Sequence, residues 1–336
     1  MSDIFINIGK KQGLLTINVF PEQTSYIFIF VLILNSIKEA EIMANWDGKS
    51  KGNKLGYGIF IKILQLFGVM PAYFLLIFVA GYYFLFSWKS SGSMLSLFRQ
   101  RLGFSVFTSF RKLYSNYYWF GQAIIDRIVL MSSIKNRFTF NFDGEEHLHQ
   151  MVADGKGGLL LSAHIGNWEI AGHLLKRLNT RINIVMYDGE QQQLKQYLEG
   201  VTGERNAHII IIKKDLSHIY EIMEALDNNE FVCMHADRFL PGNKTLETKF
   251  LGEKALFPAG PFVLASKLNV PTSFVFAVKE TFNHYHFFAT EGKIYRNEPQ
   301  KSKTDGILID FAQEMTKILK RYPAQWYNYY NFWAKG

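Results

Sequence analysis

The distribution of apolar residues divides the chain into two unlike parts. Beyond residue 137, short β-rich runs alternate with helical stretches. The runs are FTFNF at residues 138–142, GLLLSA at 158–163, INIVM at 182–186, HIIII at 208–212, FVCM at 231–234, PTSFVFAV at 271–278 and HYHFFAT at 284–290. Helical periodicity fills several of the gaps, at residues 169–178, 216–226 and 260–268. Near-continuous apolar strands separated by helices predict an α/β fold with a mostly parallel central sheet flanked by helices.

Before residue 137 the pattern is helical and strongly apolar. Between Lys62 and Lys89 lie 26 consecutive residues without a formal charge, including LFGVMPAYFLLIFVAGYYFLF at residues 66–86. About 20 apolar residues suffice for a helix across a bilayer core, and the Tyr and Trp at the end of this run suit an interface. Pro71 and two glycines interrupt the run. Lys49, Lys51, Lys54 and Lys62 on one side are matched by Lys89, Arg99 and Arg101 on the other, so counting positive charges assigns no orientation. Three readings stay open: a span, a broken hairpin or helix lying in the cytoplasmic face, and a buried core helix.

Upstream, the nine-residue run YIFIFVLIL at 26–34 is too short to span and has no small-residue cleavage site behind it. The polar stretch ANWDGKSKGNK at 44–54 reads as a linker or a domain start. The expected organisation is an N-terminal extension at 1–42 (or translation starting at Met43), a membrane-associating helical region at 43–88, and the main domain at 89–336.

Composition sharpens this picture. With 336 residues, 48% of them hydrophobic and only 20% charged, the chain is too apolar to be disordered. Its single cysteine, Cys233, excludes an internal disulfide framework and any multi-thiolate metal site. A net charge of +8 points to anionic partners. Much of it is local: residues 89–137 hold eight basic residues against the single acidic Asp126, interleaved with aromatics at helical spacing. That segment reads as helical core on one side and basic surface on the other. No nucleic-acid recognition motif accompanies the charge, so nucleic acid is not expected as a partner.

The candidate chemistry lies in GGLLLSAHIGNWEIAG at residues 157–172. A buried strand runs into a turn at His164, Gly166 and Asn167, and Asn167 is a plausible N-cap for the helix that follows. In open α/β sheets, ligands bind at the carboxyl ends of strands, where His164 falls. Positions i and i+5 do not share a helix face, so His164 touches Glu169 only if the histidine sits in the loop and the glutamate in the first helical turn. A carboxylate that accepts from one imidazole nitrogen fixes the tautomer and frees the other nitrogen as a base.

This pattern resembles the lysophospholipid and lipid A acyltransferases, whose signature is His-x4-Asp/Glu, here His164-Ile165-Gly166-Asn167-Trp168-Glu169. Downstream, His235-Ala236-Asp237-Arg238, Phe250-Leu251-Gly252 and Phe257-Pro258-Ala259-Gly260-Pro261 are similar to that superfamily's later blocks in order and spacing. The aromatic run QWYNYYNFW at 325–333, with Trp46 and Gly48, further resembles the branch found beside aryl-polyene or flexirubin pigment biosynthesis. The resemblance runs from about Asn45 to Trp333. Glu169 departs from the Asp of the glycerolipid members and agrees with lipid A-type members.

The resemblance implies a membrane-associated O-acyltransferase in which His164 is the general base and Glu169 its orienter. Arg238 is implied as a contact for a donor or acceptor phosphate, and Gly260 borders the acyl site. Asp237 is grouped with the substrate-binding residues, with pairing to Arg238 as its other reading. The implied donor is an acyl-carrier-protein or coenzyme A thioester. The implied acceptor is a hydroxyl of a lipid A-type, glycerolipid or pigment lipid. No cofactor, metal or acyl-enzyme is implied, and the implied place is the inner membrane with the site facing the cytoplasm.

Rival readings are a thioester or lipid hydrolase on the same fold and a non-catalytic membrane-surface protein. Ser162 has no Gly-x-Ser-x-Gly elbow, and strand alternation points it away from His164. His147/His149 and His284/His286 have the spacing of one face of an extended strand, without carboxylate or Cys completion of a metal site. The QQQ at 191–193 reads as an exposed helix surface. The run at 326–333 reads as core packing in preference to an interfacial belt.

Overall fold

The computed structural model describes residues 9–11, 14–16, 64, 66–131, 137–171, 177–178, 180–186, 207–213, 215–239, 242–296 and 299–333. The extension expected at 1–42, apart from a short hairpin of β1 (Gly9–Lys11) and β2 (Leu14–Thr16), lies outside the described residues. So do the stretch at 44–54 and the glutamines at 191–193.

Helix α1 (Val69–Phe86) occupies the uncharged run. Pro71 does not break it. It stands in the first turn, where the backbone N–H of an α-helix has no intrahelical acceptor to lose. Helix α2 (Trp88–Ser96) leads through a π-turn at Leu97–Arg101 into the long α3 (Val106–Met131), against which α1 packs.

The seven apolar runs form the seven strands of one sheet: β3 (Thr139–Asp143), β4 (Gly158–Ser162), β5 (Ile182–Met186), β6 (Ala207–Ile211), β7 (Phe231–His235), β10 (Thr272–Lys279) and β11 (His284–Ala289). Their order is β3-β11-β10-β4-β7-β5-β6. All neighbours are parallel except β10 and β11, a hairpin that reverses β11 and its parallel partner β3 at one edge. Between β7 and β10 a second sheet of two antiparallel strands, β8 (Thr245–Phe250) and β9 (Glu253–Pro258), was not expected.

Helices cover the sheet. They are α4 (Glu145–Ala153), α5 (His218–Asp227), α6 (Ala259–Leu268) and α7 (Gln300–Arg321). His147 and His149 belong to α4, so their two-residue spacing does not share a face, against the strand expectation. Period-two alternation splits the strand side chains between two cores. Leu159, Leu161, Val232, Met234, Phe274 and Phe276 join α1, α3, α6 and α7 on one side. Leu160, Ile182, Ile184, Phe231 and Tyr285 join α4 on the other.

A buried polar cluster ties α1 to the sheet. Lys279 Nζ lies 2.6 Å from Asp126 Oδ2 and 2.6 Å from the Tyr73 hydroxyl, and both Tyr73 and Tyr285 donate hydrogen bonds to Asp126. Lys279 and Asp126 are essentially inaccessible. Burial pushes the Lys279 ammonium down to about 8, against the opposing pull of Asp126. An uncompensated charge here is expensive, which is why α1, α3, β10 and β11 meet at this cluster.

Candidate active site

Strands β4 and β7 are adjacent and parallel, with Ser162 in register with His235. His164 and Asp237 each lie two residues beyond those paired positions, so the two loops leave the sheet side by side at its carboxyl edge. The consequence is a direct contact between residues 73 apart in sequence: His164 Nδ1 to Asp237 Oδ1 at 2.7 Å.

Asp237 is held from several directions. Its Oδ2 accepts from the backbone N–H of His164 at 3.0 Å and from Trp326 Nε1 at 3.0 Å, while Tyr330 donates to its carbonyl oxygen at 3.1 Å. Its side chain is fully buried, whereas that of His164 is 21% exposed. Burial alone would raise the carboxyl, but the His164 imidazole, through charge and hydrogen bond, and the Arg238 guanidinium outweigh it. The net effect keeps Asp237 below the usual carboxylate range, ionised. An ionised acceptor at Nδ1 requires Nδ1 to carry the proton, so in the neutral ring the lone pair is on Nε2, which has no partner among the described residues.

The loop itself is clamped on both sides. Gly166 N–H donates to Gln325 O at 2.8 Å, Asn167 N–H to Ala277 O at 2.7 Å, and Tyr327 N–H to His164 O at 3.1 Å. Gly166 has φ +70°, and a Cβ there would stand 1.9 Å from Ala277 O, so no other residue fits. The Gln325 side chain makes a paired contact with the Lys279 backbone, accepting at 2.9 Å and donating at 2.7 Å. The aromatic C-terminal run is therefore a packed strap over the His164 loop. Trp326 is fully buried and Tyr329 nearly so.

The other expected residues distribute differently. Asp237, expected among the substrate-binding residues, has a fully buried side chain that faces His164 and Trp326. Arg238 donates from Nη2 to Tyr327 O at 2.5 Å and braces the same strap. Asn167, expected as an N-cap, donates from Nδ2 to Ala123 O of α3 at 3.1 Å. The helix expected from residue 169 begins as a 3-10 turn, Trp168–Ala171, and residues 172–176 are outside the described set. Glu169 stands in that turn, its side chain outside the described residues. Gly260 lies in the first turn of α6, with open space around its Cα.

Two nucleophile candidates are unsuited. Ser162 donates its hydroxyl to Val275 O at 2.7 Å within the sheet, and burial pushes the Cys233 thiol up to about 12. His164, His235 and Asp237 offer ligand atoms within 4.8 Å of one another. The two imidazoles stack with planes 27° apart, and His164 Nδ1 is taken up by Asp237. His284 and His286 are likewise engaged elsewhere, His284 with Thr139 at 2.7 Å and His286 with Glu280 and Asp143 at 3.1 Å each.

A half-buried imidazole hydrogen-bonded to a buried carboxylate, at the carboxyl ends of neighbouring parallel strands, is an arrangement capable of proton transfer. Comparison with known sequences makes the assignment specific. Residues 112–334 match the model of the bacterial lipid A biosynthesis acyltransferases, and the chain belongs to that family. It is also similar to phosphatidylinositol mannoside acyltransferases. The protein of Mycobacterium tuberculosis (strain CDC 1551 / Oshkosh) is 29% identical over 123 residues, which is 36% of this chain and 39% of that protein. The protein of Mycolicibacterium smegmatis (strain ATCC 700084 / mc(2)155) is 24% identical over 191 residues, 54% of this chain and 58% of that protein. The aligned part thus spans between two-fifths and three-fifths of these relatives' length.

Proposed function

We propose that this protein transfers an acyl chain from a thioester, carried by an acyl carrier protein or coenzyme A, to a hydroxyl of a membrane lipid. His164 Nε2 removes the hydroxyl proton, and Asp237 holds the imidazole in the competent tautomer. The observation that carries this reading is the 2.7 Å contact between His164 Nδ1 and the buried Asp237, with Nε2 left open. Asp237 thereby takes the orienting position that the family resemblance implied for Glu169. The acceptor belongs to the glycolipid or pigment-lipid class: the family match favours the first, and the aromatic strap at residues 325–333 the second. Gly260 is assigned to the border of the acyl site.

The proposal includes attachment to the cytoplasmic face of the inner membrane, a reading that the apolar helix α1 supports. Its inward face is occupied by α3 and by the Tyr73 contacts to Asp126, Lys279 and the Phe282 carbonyl. Its outward face exposes Met70, Phe74, Phe78 and Phe86, each more than half accessible, and Phe107 of α3 is exposed as well. A bilayer-spanning α1 would draw a buried ion pair and the β10–β11 turn into hydrocarbon. We therefore assign α1 to lie in one leaflet, apolar face inward.

The test is product analysis. Wild-type protein incubated with radiolabelled palmitoyl thioester and a total bacterial lipid extract should form a labelled lipid ester. Folded His164→Ala should form at least about 10²-fold less. Label released only as free fatty acid, with or without lipid, would make the protein a hydrolase.

A further inference from the structure

His235 is the last residue of β7, and its ring is stacked on that of His164, centroids 4.2 Å apart. The Trp168 ring meets it edge-on at 5.0 Å. Neither the base role of His164 nor the clamping of the loop explains a second imidazole here. Its Nδ1 is buried and has no hydrogen-bond partner among the described residues. A buried N–H without an acceptor is rarer and costlier than a buried lone pair without a donor, so the proton of the neutral ring belongs on Nε2. Nε2 has no hydrogen-bond partner among the described residues, which leaves it an N–H donor on the ring stacked against that of the base. Burial, and then the charge of His164, push the His235 imidazole well below its ordinary value despite the opposing pull of Asp237. It therefore stays neutral and does not compete for the proton that His164 must take.

We propose that His235 is a second catalytic residue, whose Nε2–H donates to the oxyanion that develops on the thioester carbonyl. The proposal rests on the acyl-transfer reading and adds to it the group that stabilises the intermediate. The acceptor hydroxyl oxygen forms a bond to the thioester carbon while its proton passes to His164 Nε2. The carbonyl π pair moves onto oxygen, and His235 Nε2–H donates a hydrogen bond to that oxyanion. Collapse re-forms the carbonyl and breaks the carbon–sulfur bond, and the departing thiolate takes the proton back from His164. The products are an ester and a free thiol.

The geometry suits two simultaneous roles. Two oxygens on one tetrahedral carbon lie closer together than the 4.2 Å ring spacing. Slightly diverging hydrogen bonds of about 2.7–3.1 Å from those oxygens then reach one nitrogen on each ring. A neutral imidazole kept neutral by its surroundings is an established type of electrophile for a developing oxyanion.

The test compares His235→Phe, which keeps a stacking ring without the donor, with His235→Gln, whose amide nitrogen falls near the position of Nε2. His235→Met serves as the isosteric partner of Gln without the donor. Turnover is measured as labelled ester formed from palmitoyl-CoA and from the matching carrier-protein thioester with a total bacterial lipid extract, and folding is checked by thermal melting. Loss of one oxyanion donor predicts a fall in kcat of about 10²–10³ for His235→Phe, with KM for the thioester within about threefold. His235→Gln should retain at least about tenfold more activity than His235→Met, a comparison that decides the matter even if the Phe variant does not fold. Wild-type kcat in folded His235→Phe, or equal activity in the Gln and Met variants, would overturn the assignment. A wild-type protein that forms no ester, or a fully active His164→Ala, would overturn the acyl-transfer reading itself.

Discussion

Replacing Asp237 by asparagine separates the orientation of His164 from every other feature of the site. The side chain keeps its shape, but only one of its two terminal atoms can still accept. Two N–H donors, the His164 backbone at 3.0 Å and Trp326 Nε1 at 3.0 Å, converge on Oδ2. The amide oxygen must take that position, since the opposite orientation buries three donors facing one another. The NH2 group then points at His164 Nδ1, 2.7 Å away in the native arrangement, and can only donate. The imidazole responds by moving its proton to Nε2, which turns the base into a donor. In His–Asp pairs of hydrolases the same exchange costs about 10⁴ in turnover, and we expect a loss of about 10²–10⁴, equivalent to about 3–5 kcal/mol of barrier. The structural cost is smaller, about 1–2 kcal/mol, as one charge-assisted hydrogen bond becomes a neutral one. Steady-state ester formation reports the first quantity and chemical denaturation the second. ¹⁵N NMR of the His164 ring should show the proton moved from Nδ1 to Nε2. If folded Asp237→Asn retains turnover within about threefold while Glu169→Gln loses it, the orienting carboxylate is Glu169 and the dyad assigned here is wrong.

Further expectations concern the parts that support the site. Lys279→Met strands the buried Asp126 charge and should cost about 3–5 kcal/mol in unfolding free energy, and adding Asp126→Asn should recover much of that loss; strictly additive losses would contradict a coupled pair. Phe74→Glu with Phe78→Glu places charge on the outward face of α1 and should shift the protein from the membrane to the supernatant in flotation on anionic vesicles. Unchanged flotation would remove α1 from the lipid contact. Arg99 and Arg111 are exposed, so Arg99→Glu with Arg111→Glu should lower kcat/KM for a carrier-protein thioester in detergent, most at low ionic strength, and leave a short pantetheine thioester unaffected. Equal losses with both donors would exclude carrier steering by this surface.

How much of this was readable from sequence follows from where the constraints act. The central strands are buried on both faces, and β4 and β5 are so enclosed that every residue is apolar or paired, so their apolar runs are unmistakable. The β8–β9 hairpin escaped notice because Glu247, Lys249, Glu253 and Lys254 give it the look of a surface loop. Helix α7 was passed over for a similar reason: charges cover its outer face, while its core stripe of Ile307, Leu308, Phe311 and Met315 is diluted among them. Within the candidate site, the place of His164 in the turn after β4 was legible from the strand–turn pattern. Its partner was not. Local spacing drew attention to Glu169, whereas Asp237 reaches the imidazole through the β4–β7 register, which is tertiary information. The usable signal was positional, since both His164 and Asp237 stand two residues past the end of a buried strand. Trp326, which fixes Asp237 from the far end of the chain, carried no such signal.

The most direct test of the central claim is a double-mutant cycle on ester formation with His164→Ala, Asp237→Asn and the combined variant. If the two residues act as one proton-transferring unit, each single change lowers kcat by at least about 10²-fold and the combined variant is no worse than His164→Ala alone. Losses that multiply would show two independent contributions and contradict the His164–Asp237 dyad.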